Sequence, residues 1–473
     1  MNRESISSFI EDRKEDFIKA NDMIWEFAEL GLEEHQSSEY LSNLLHEEAF
    51  EVEKNLAGMP TAFSASYGSG KPIIAILGEF DALPGLSQKA SAFEKEEIIK
   101  DGNGHGCGHN TLGAGSLAAS VAVKEYLEKN QKSGTIRYYG CPAEENGSGK
   151  TYMVRDGIFD DVDIALSWHP MDTNNVMGIR TQACMSAYFR FKGVSAHAAV
   201  SPHLGRSALD AMELMNVGAN YLREHISKDA LLHYAITDGG GKAPNVVQDK
   251  SEVYYFVRAP KTNDMFEVYE RLCDVAKGAA LMTGTEVEIE FVEGLSDYIP
   301  NKTLGELMSN NFSEVGSPKF DSDDHKLADK FRSTFSEQEI MNTLGQIQMF
   351  AGEEVARSLG NKSISDYVSP YIHLDMHMPG STDVGDVSYV VPTAQLTTAC
   401  CALATTGHTW QFTAQMCSPL AHKGMLTAAK VMALTAIDII DKPDITEKAK
   451  TELFNQTRGI YNCPLPKDSK PIK

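Results

Sequence analysis

The chain has 473 residues, 42% hydrophobic and 23% charged, a globular composition whose length leads to an expectation of two or more domains. Acidic residues number 66 against 43 basic ones, for a net charge of −23. Such a balance offers no basic face to a nucleic acid, although a local basic pocket can still hold an anionic substrate.

No run of about 18 apolar residues, the length of a membrane helix, occurs. The most apolar stretch, residues 390–404, is broken by Pro392, Gln395 and several threonines. The first 30 residues carry acids throughout and lack the charged-then-apolar order of a leader. The 8 cysteines form no Cys-x-x-Cys pair, so no disulfide framework is expected and most should be buried small hydrophobes. A cytoplasmic protein with neither nucleic-acid nor membrane partners is the expectation.

In chain order, Phe9, Ile10, Phe17, Ile18, Ile24, Phe27 and Leu30 recur at helical spacing and predict a helix over residues 7–32, capped by Ser7 or Ser8. The apolar run Ile73-Ile74-Ala75-Ile76-Leu77 predicts a strand buried on both faces, ending in a turn over residues 78–85. Residues 111–126, small and Ala-rich, predict a helix packed close to a sheet. Two more strands are expected over 135–140 and 164–167. Strands alternating with helices predict an α/β domain with a mostly parallel sheet. Sites in such domains gather beyond the carboxyl ends of the strands, where Asp81, Glu144, Glu145 and His169 fall.

The pattern changes near residue 183. Strands are expected over 187–191, 252–257 and 287–291, with an amphipathic helix over 207–222. An α+β domain at 183–295 is therefore expected as an insertion between two parts of the first, 1–182 and 296–473. Residues of about 305–370 are charged and helix-favouring and read as an insertion covering part of the site. Small, Gly-rich sequence returns at Met378-Pro379-Gly380-Ser381-Thr382-Asp383-Val384-Gly385-Asp386. A final helix over 423–440 should pack back on the first domain.

The most informative stretch is Gly104-His105-Gly106-Cys107-Gly108-His109-Asn110. Its glycines let the backbone bend so that Cys107 and His109 can face one point. Thiolate, imidazole and carboxylate are ligands for zinc or manganese. Pro142-Ala143-Glu144-Glu145 follows. A Glu-Glu pair is commonly just solvated, but this one succeeds an apolar strand. Neighbouring carboxylates at a metal can divide the labour, one as ligand and the other as proton acceptor from water. His169, in Trp168-His169-Pro170, is another candidate ligand, and His105 a further imidazole in the loop. His197, in the inserted segment, is a candidate donor to a developing oxyanion. His408 and His422 compete as the last ligand. These residues predict a metal-dependent hydrolase.

With these motifs the chain resembles the aminoacylase and glutamate-carboxypeptidase metallopeptidases. The likeness is carried by Gly78-Glu79-Phe80-Asp81-Ala82-Leu83-Pro84-Gly85, the Cys107 loop, residues 140–150, Trp168-His169-Pro170 and Ser195-Ala196-His197-Ala198-Ala199. It extends to residues 201–211, Ala243-Pro244-Asn245-Val246-Val247-Gln248 and the Gly380-Ser381 stretch. The resemblance implies a catalytic domain with two divalent metal ions, zinc or manganese, and an inserted lid that also dimerises. It implies Cys107, His109, Glu145, His169 and His408 as ligands and Glu144 as general base and then acid. It implies His197 as oxyanion donor, across the dimer or within the chain, and Asn245, Arg258, Gly380 and Ser381 as the grip on a substrate carboxylate. Many relatives have His-x-Asp where this chain has Glu79-Phe80-Asp81, so Asp81 is expected behind a ligand, orienting it. The implied reaction is hydrolysis of the amide of an N-acyl amino acid, with a folate-derived acyl-glutamate leading. The alternatives are an aminoacylase or dipeptidase without glutamate preference, or a subunit active only beside a related chain. A homodimer, or a heteromer with such a subunit, is the expected assembly.

Overall fold

The computed structural model describes residues 1–471. A seven-stranded sheet carries the site. Its strands are β1 (Glu51–Lys54), β2 (Phe63–Ser69), β3 (Ile73–Glu79), β4 (Gly134–Cys141), β5 (Ile164–Met171), β6 (Asn175–Val176) and β11 (Thr393–Ala399). Their order is β1-β2-β4-β3-β5-β11-β6. The four central strands β4, β3, β5 and β11 are parallel neighbours, and the edges pair antiparallel. The fold is α/β with a largely parallel central sheet, as the strand–helix alternation predicts.

Alternation along β3 shows why the run 73–77 is apolar throughout. Ile74 and Ile76 enter the core cluster shared with the helices His109–Asn130 and Pro419–Asp441. Ala75 and Leu77 enter the cluster on the other face, with Met153 of the helix Gly149–Arg155 and Val387 of the helix Val384–Val390. A strand covered on both sides needs side chains that are apolar in both phases. The helix His109–Asn130 lies tight on the sheet because of its small residues. A Cβ on Gly113 would stand 2.7 Å from the Glu79 carbonyl oxygen. Trp168 of β5 donates its indole N–H to the Leu112 carbonyl at 3.0 Å, buried.

A separate four-stranded antiparallel sheet, in the order β10-β7-β9-β8, spans β7 (Ala183–Lys192), β8 (Leu231–Asp238), β9 (Lys250–Ala259) and β10 (Glu286–Leu295). The helices Ala208–Leu222, capped by Ser207, and Thr262–Thr283 pack on it around Phe189, Met212, Tyr255 and Leu272. Among the described residues no helix is long and apolar enough to cross a membrane.

Several expected boundaries shift. The N-terminal helix is two, Arg3–Asp12 and Lys14–Phe27, broken at Arg13, and the cap is Asn2, not Ser7 or Ser8. Asn2 and Ser5 form a reciprocal capping box there. His169 lies inside β5 rather than after it. The helix expected over 423–440 runs Pro419–Asp441 and packs on the first helical layer as expected, but the helix Asp444–Thr457 follows it. Within the stretch 305–370, the helix Lys302–Val315 buries Met308 and Phe312, with Leu304 before them, in the main core, so the start of that stretch belongs to the seven-stranded sheet's own helical cover. The helices Ser322–Arg332, Glu337–Ala351 and Glu353–Gly360 follow.

Asp386 ties the layers together. Its carboxylate accepts from Thr151 Oγ1 (2.7 Å), the Ser296 amide (3.0 Å), Ser296 Oγ (2.7 Å) and the Tyr461 hydroxyl (2.9 Å). Asp386→Ala strands these donors in the interior, and we expect a loss of about 3 kcal/mol of stability. The check is the urea midpoint of the variant: an unshifted midpoint contradicts this role.

Candidate metal centre

The site is built where the parallel strands end. β3 delivers Glu79 and, past it, Asp81; β4 delivers Glu144 and Glu145; β5 holds His169. The loop before the helix His109–Asn130 brings in Cys107 and His109. Gly108 in that loop sits at φ +80°, and a Cβ there would meet Pro170 at 2.7 Å and Met416 at 2.8 Å. Only glycine fits that left-handed, crowded position. Two residues with side chains also take left-handed backbone here, Ala143 at φ 57° and His408 at φ 59°. Such conformations persist where the surroundings hold them. Ala143 is held by its amide, which donates to Glu34 Oε1 at 2.8 Å.

Donor atoms converge in three overlapping groups: Cys107, His109 and His169; Cys107, Glu145 and His408; His109, Glu144 and Glu145. Within each group the atoms lie within 4.8 Å of one another. Cys107 Sγ is 3.4 Å from His169 Nε2, and His408 Nε2 is 3.6 Å from Glu145 Oε2. Asp81 orders the cage from behind. Its Oδ1 accepts from His109 Nδ1 at 2.7 Å, and its Oδ2 accepts the Glu145 amide at 2.9 Å. The first of these bonds turns His109 Nε2 toward the cage, where it and Glu145 Oε1 are buried without a hydrogen-bond partner. His169 Nδ1 donates to its neighbour Pro170's carbonyl at 2.9 Å, leaving Nε2 for the cage in the same way.

The electrostatics suit a cation. Burial, then Glu79 and Glu145, hold the Glu144 carboxyl well above the usual carboxylate range. Burial, then Glu145, push the Cys107 thiol up. Burial, then the neighbouring His109, push His169 down to about 4, which keeps it neutral, the form that ligates a metal. Orphaned buried donors, a thiol and clustered carboxyls form a set that divalent ions satisfy.

Of the candidates, Cys107, His109, Glu144, Glu145, His169 and His408 come together, with Asp81 behind them. His422 pairs with Asp22 at 2.8 Å and His105 with the Ile24 carbonyl at 2.9 Å, and neither enters the cage. Arg258 of β9 reaches Ser381 with a 2.7 Å hydrogen bond, joining the two sheets' units beside Gly380, whose carbonyl accepts the Gln182 amide at 2.8 Å. His197 and Asn245 share a pair of exposed loops on the four-stranded unit, where the Ala198 amide donates to the Asn245 carbonyl at 3.0 Å. They do not join the cage within this chain.

Sequence reasoning missed Glu34, Lys150 and Asp383. The Lys150 ammonium is fully buried between Glu79 Oε1 and Asp383 Oδ1, at 2.6 Å from each. The Asp383 Oδ2 also accepts the Lys150 amide at 2.8 Å. The other Glu79 oxygen lies 3.3 Å from His109 Nε2. A usable signal was a lone lysine shortly before the apolar Tyr152-Met153-Val154 run.

An α/β sheet whose strand ends hold thiol, imidazole and carboxyl donors, with an inserted antiparallel unit, defines a metallohydrolase of the peptidase type. The chain belongs to peptidase family M20/M25/M40, whose family model matches residues 75–378. It is 44% identical over 470 residues to a p-aminobenzoyl-glutamate hydrolase subunit of Escherichia coli (strain K12), covering 98% of each chain. In fold it resembles a putative aminohydrolase from methicillin-resistant Staphylococcus aureus, with TM-score 0.65 and 18% identity, covering 93% of this chain and 100% of that one. It also resembles the Bacillus subtilis YXEP protein, described as a dinuclear metal-binding peptidase, with TM-score 0.57 and 18% identity, covering 91% of this chain and 99% of that one.

Replacing Lys150 by Met leaves Glu79 and Asp383 as facing buried carboxylates, and a loss of about 3–5 kcal/mol follows. Denaturant unfolding measures it, and the double variant Lys150→Met/Glu79→Gln should recover part of the loss. A Lys150→Met protein as stable as wild type contradicts the assignment.

Proposed function

We propose that the protein is a metal-dependent amidohydrolase that cleaves p-aminobenzoyl-glutamate to p-aminobenzoate and glutamate. The observation that carries this reading is the meeting of Cys107, His109, Glu144, Glu145, His169 and His408 in overlapping donor groups. The substrate follows from the relative matched over almost the whole chain. In this reading two divalent ions, zinc or manganese, are held by Cys107, His109, Glu145, His169 and His408. The thiolate favours zinc, and the carboxylate admits manganese. Bound ions supply a water of lowered pKa and a Lewis acid for the amide oxygen.

The chain's own residues do the rest. Glu144 accepts the proton of the attacking water and passes it to the amide nitrogen of the leaving glutamate. Asp81 keeps His109 in one tautomer and pins the Glu145 backbone. Arg258 and Ser381, already hydrogen-bonded to each other, grip the substrate carboxylate beside Gly380, since a guanidinium can donate two parallel bonds to it. Residues 183–295 act as lid and dimerisation domain between the two catalytic parts, 1–182 and 296–473. Closure of that lid, or a second copy, brings His197 to the oxyanion and Asn245 to the carboxylate. The assembly is a homodimer or a heteromer with a related subunit, working in the cytoplasm.

The purified chain, loaded with zinc or manganese, should release glutamate from p-aminobenzoyl-glutamate without another subunit. Glu144→Ala should lower kcat by about 10²–10⁴-fold while metal content by elemental analysis is unchanged; near-wild-type turnover would refute the base. Asp81→Ala should weaken metal binding by about 10–100-fold, read by competition with a chelating dye. Unaltered affinity there would remove Asp81 from its orienting role.

A further inference from the structure

We propose that a cavity next to His169 receives the acyl group of the substrate and selects for an aromatic one. The proposal rests on the amidohydrolase reading above. The cavity measures about 180 Å³. Its wall is mainly apolar, formed by Met171, Val176, Met177, Ile179, Ile347 and Leu359. An apolar cavity of about 150 Å³ is large enough to hold a benzene ring. The volume therefore suits one ring with a small substituent and exceeds what an acetyl group fills.

Register gives the cavity its position. His169 and Thr397 are paired residues on the parallel neighbours β5 and β11. Their side chains therefore leave the same face of the sheet, about 5 Å apart. Thr397 lines the cavity. Met171 lines it too, two residues beyond His169 on the same face. The cavity thus begins one strand over from a candidate ligand, while none of the candidate ligands lines it.

The opposite wall is the helix Glu337–Ala351, through Thr343 and Ile347. That helix packs through Ile347 and Leu344 around Leu403, in the loop that continues to His408. Met378 also lines the cavity, just ahead of Gly380 and Ser381. An N-aroyl amino acid with its amide at the cage then directs its carboxylate to Ser381 and Arg258 and its ring into the cavity. The helices after residue 320 acquire a task in this account: they build the acyl pocket.

The test fills the cavity from the helix, away from the cage. With metal-loaded enzyme, Thr343→Trp should raise KM for p-aminobenzoyl-glutamate by about tenfold or more and lower kcat/KM for N-acetyl-glutamate, whose acetyl is too short to reach that wall, far less. Gln346→Trp, on the same helix and lining the same cavity, should do likewise. Calorimetry of the metal-free protein with 4-aminobenzoate should show binding that both variants abolish. Equal losses on the two substrates, or no loss on either, overturn the proposal. Should the wild type cleave neither substrate, the amidohydrolase reading fails and the calorimetry alone decides. Binding that the Trp variants abolish then upholds the pocket, and no binding by the wild type overturns it.

Discussion

The structure is governed by the burial of acid. Glu34, Glu79, Asp81 and Asp383 are buried, and the side chains of Glu144 and Glu145 are 14% and 7% exposed. Like charges so placed cannot all ionise without compensation, because each has lost most of its hydration. The protein answers in two ways. Lys150, the one buried lysine or arginine among the described residues, is committed to Glu79 and Asp383. Asp81 is met by an imidazole and a backbone amide, and Glu34 by the Thr61 hydroxyl and the Ala143 amide. What remains, Glu144 and Glu145 beside a thiol and imidazoles, is left for the divalent ions of the proposed centre.

The same constraint explains the scaffold. A cage of short, buried side chains needs backbone brought close from distant parts of the chain. Parallel strands do this, because their carboxyl ends lie side by side. Glu79, Glu144 with Glu145, and His169 arrive on adjacent strands. His109 arrives at the start of a helix that sits tight against them through Gly113. Left-handed backbone at Ala143 and His408 is carried by neighbours: Glu34 accepts the Ala143 amide, and the His408 amide donates to the Gly106 carbonyl at 2.8 Å. Other residues with side chains take left-handed backbone elsewhere in the chain, but at these two positions it aims side chains at the cage.

The four-stranded unit has a different logic. Arg258, on one of its central strands, reaches across to Ser381, while His197 and Asn245 stay on exposed loops. One part of the unit is already engaged with the cage's surroundings, and another presents its polar residues to solvent. In the proposed reaction the first part holds the substrate carboxylate and the second completes the site on closure or association. The helices after residue 320 add an apolar wall that the cage itself lacks.

Much of this was legible without coordinates. Continuous apolar runs marked the central strands, because a strand covered on both faces must be apolar in both phases. The Gly-rich Cys107–His109 loop, the Glu144-Glu145 pair and His169 were visible because few structural needs put those residue types at strand ends. Residue type alone could not tell His408 from His422, and the choice of His408 came from the family resemblance; the loop after β11 brings His408 beside Glu145, whereas His422, on the helix Pro419–Asp441, meets Asp22. Lys150 and Asp383 were hidden in the same way. A buried ion pair joins residues 233 positions apart, and local pattern holds no trace of a partner that distant. The order of residues along the chain dictated the sheet, its helical cover and the chemical types of the ligands, because these depend on near neighbours. Packing in three dimensions settled which acid faces which base and where an apolar cavity stands beside the cage, because these depend on side chains that meet only when strands and loops from opposite ends of the chain are brought together.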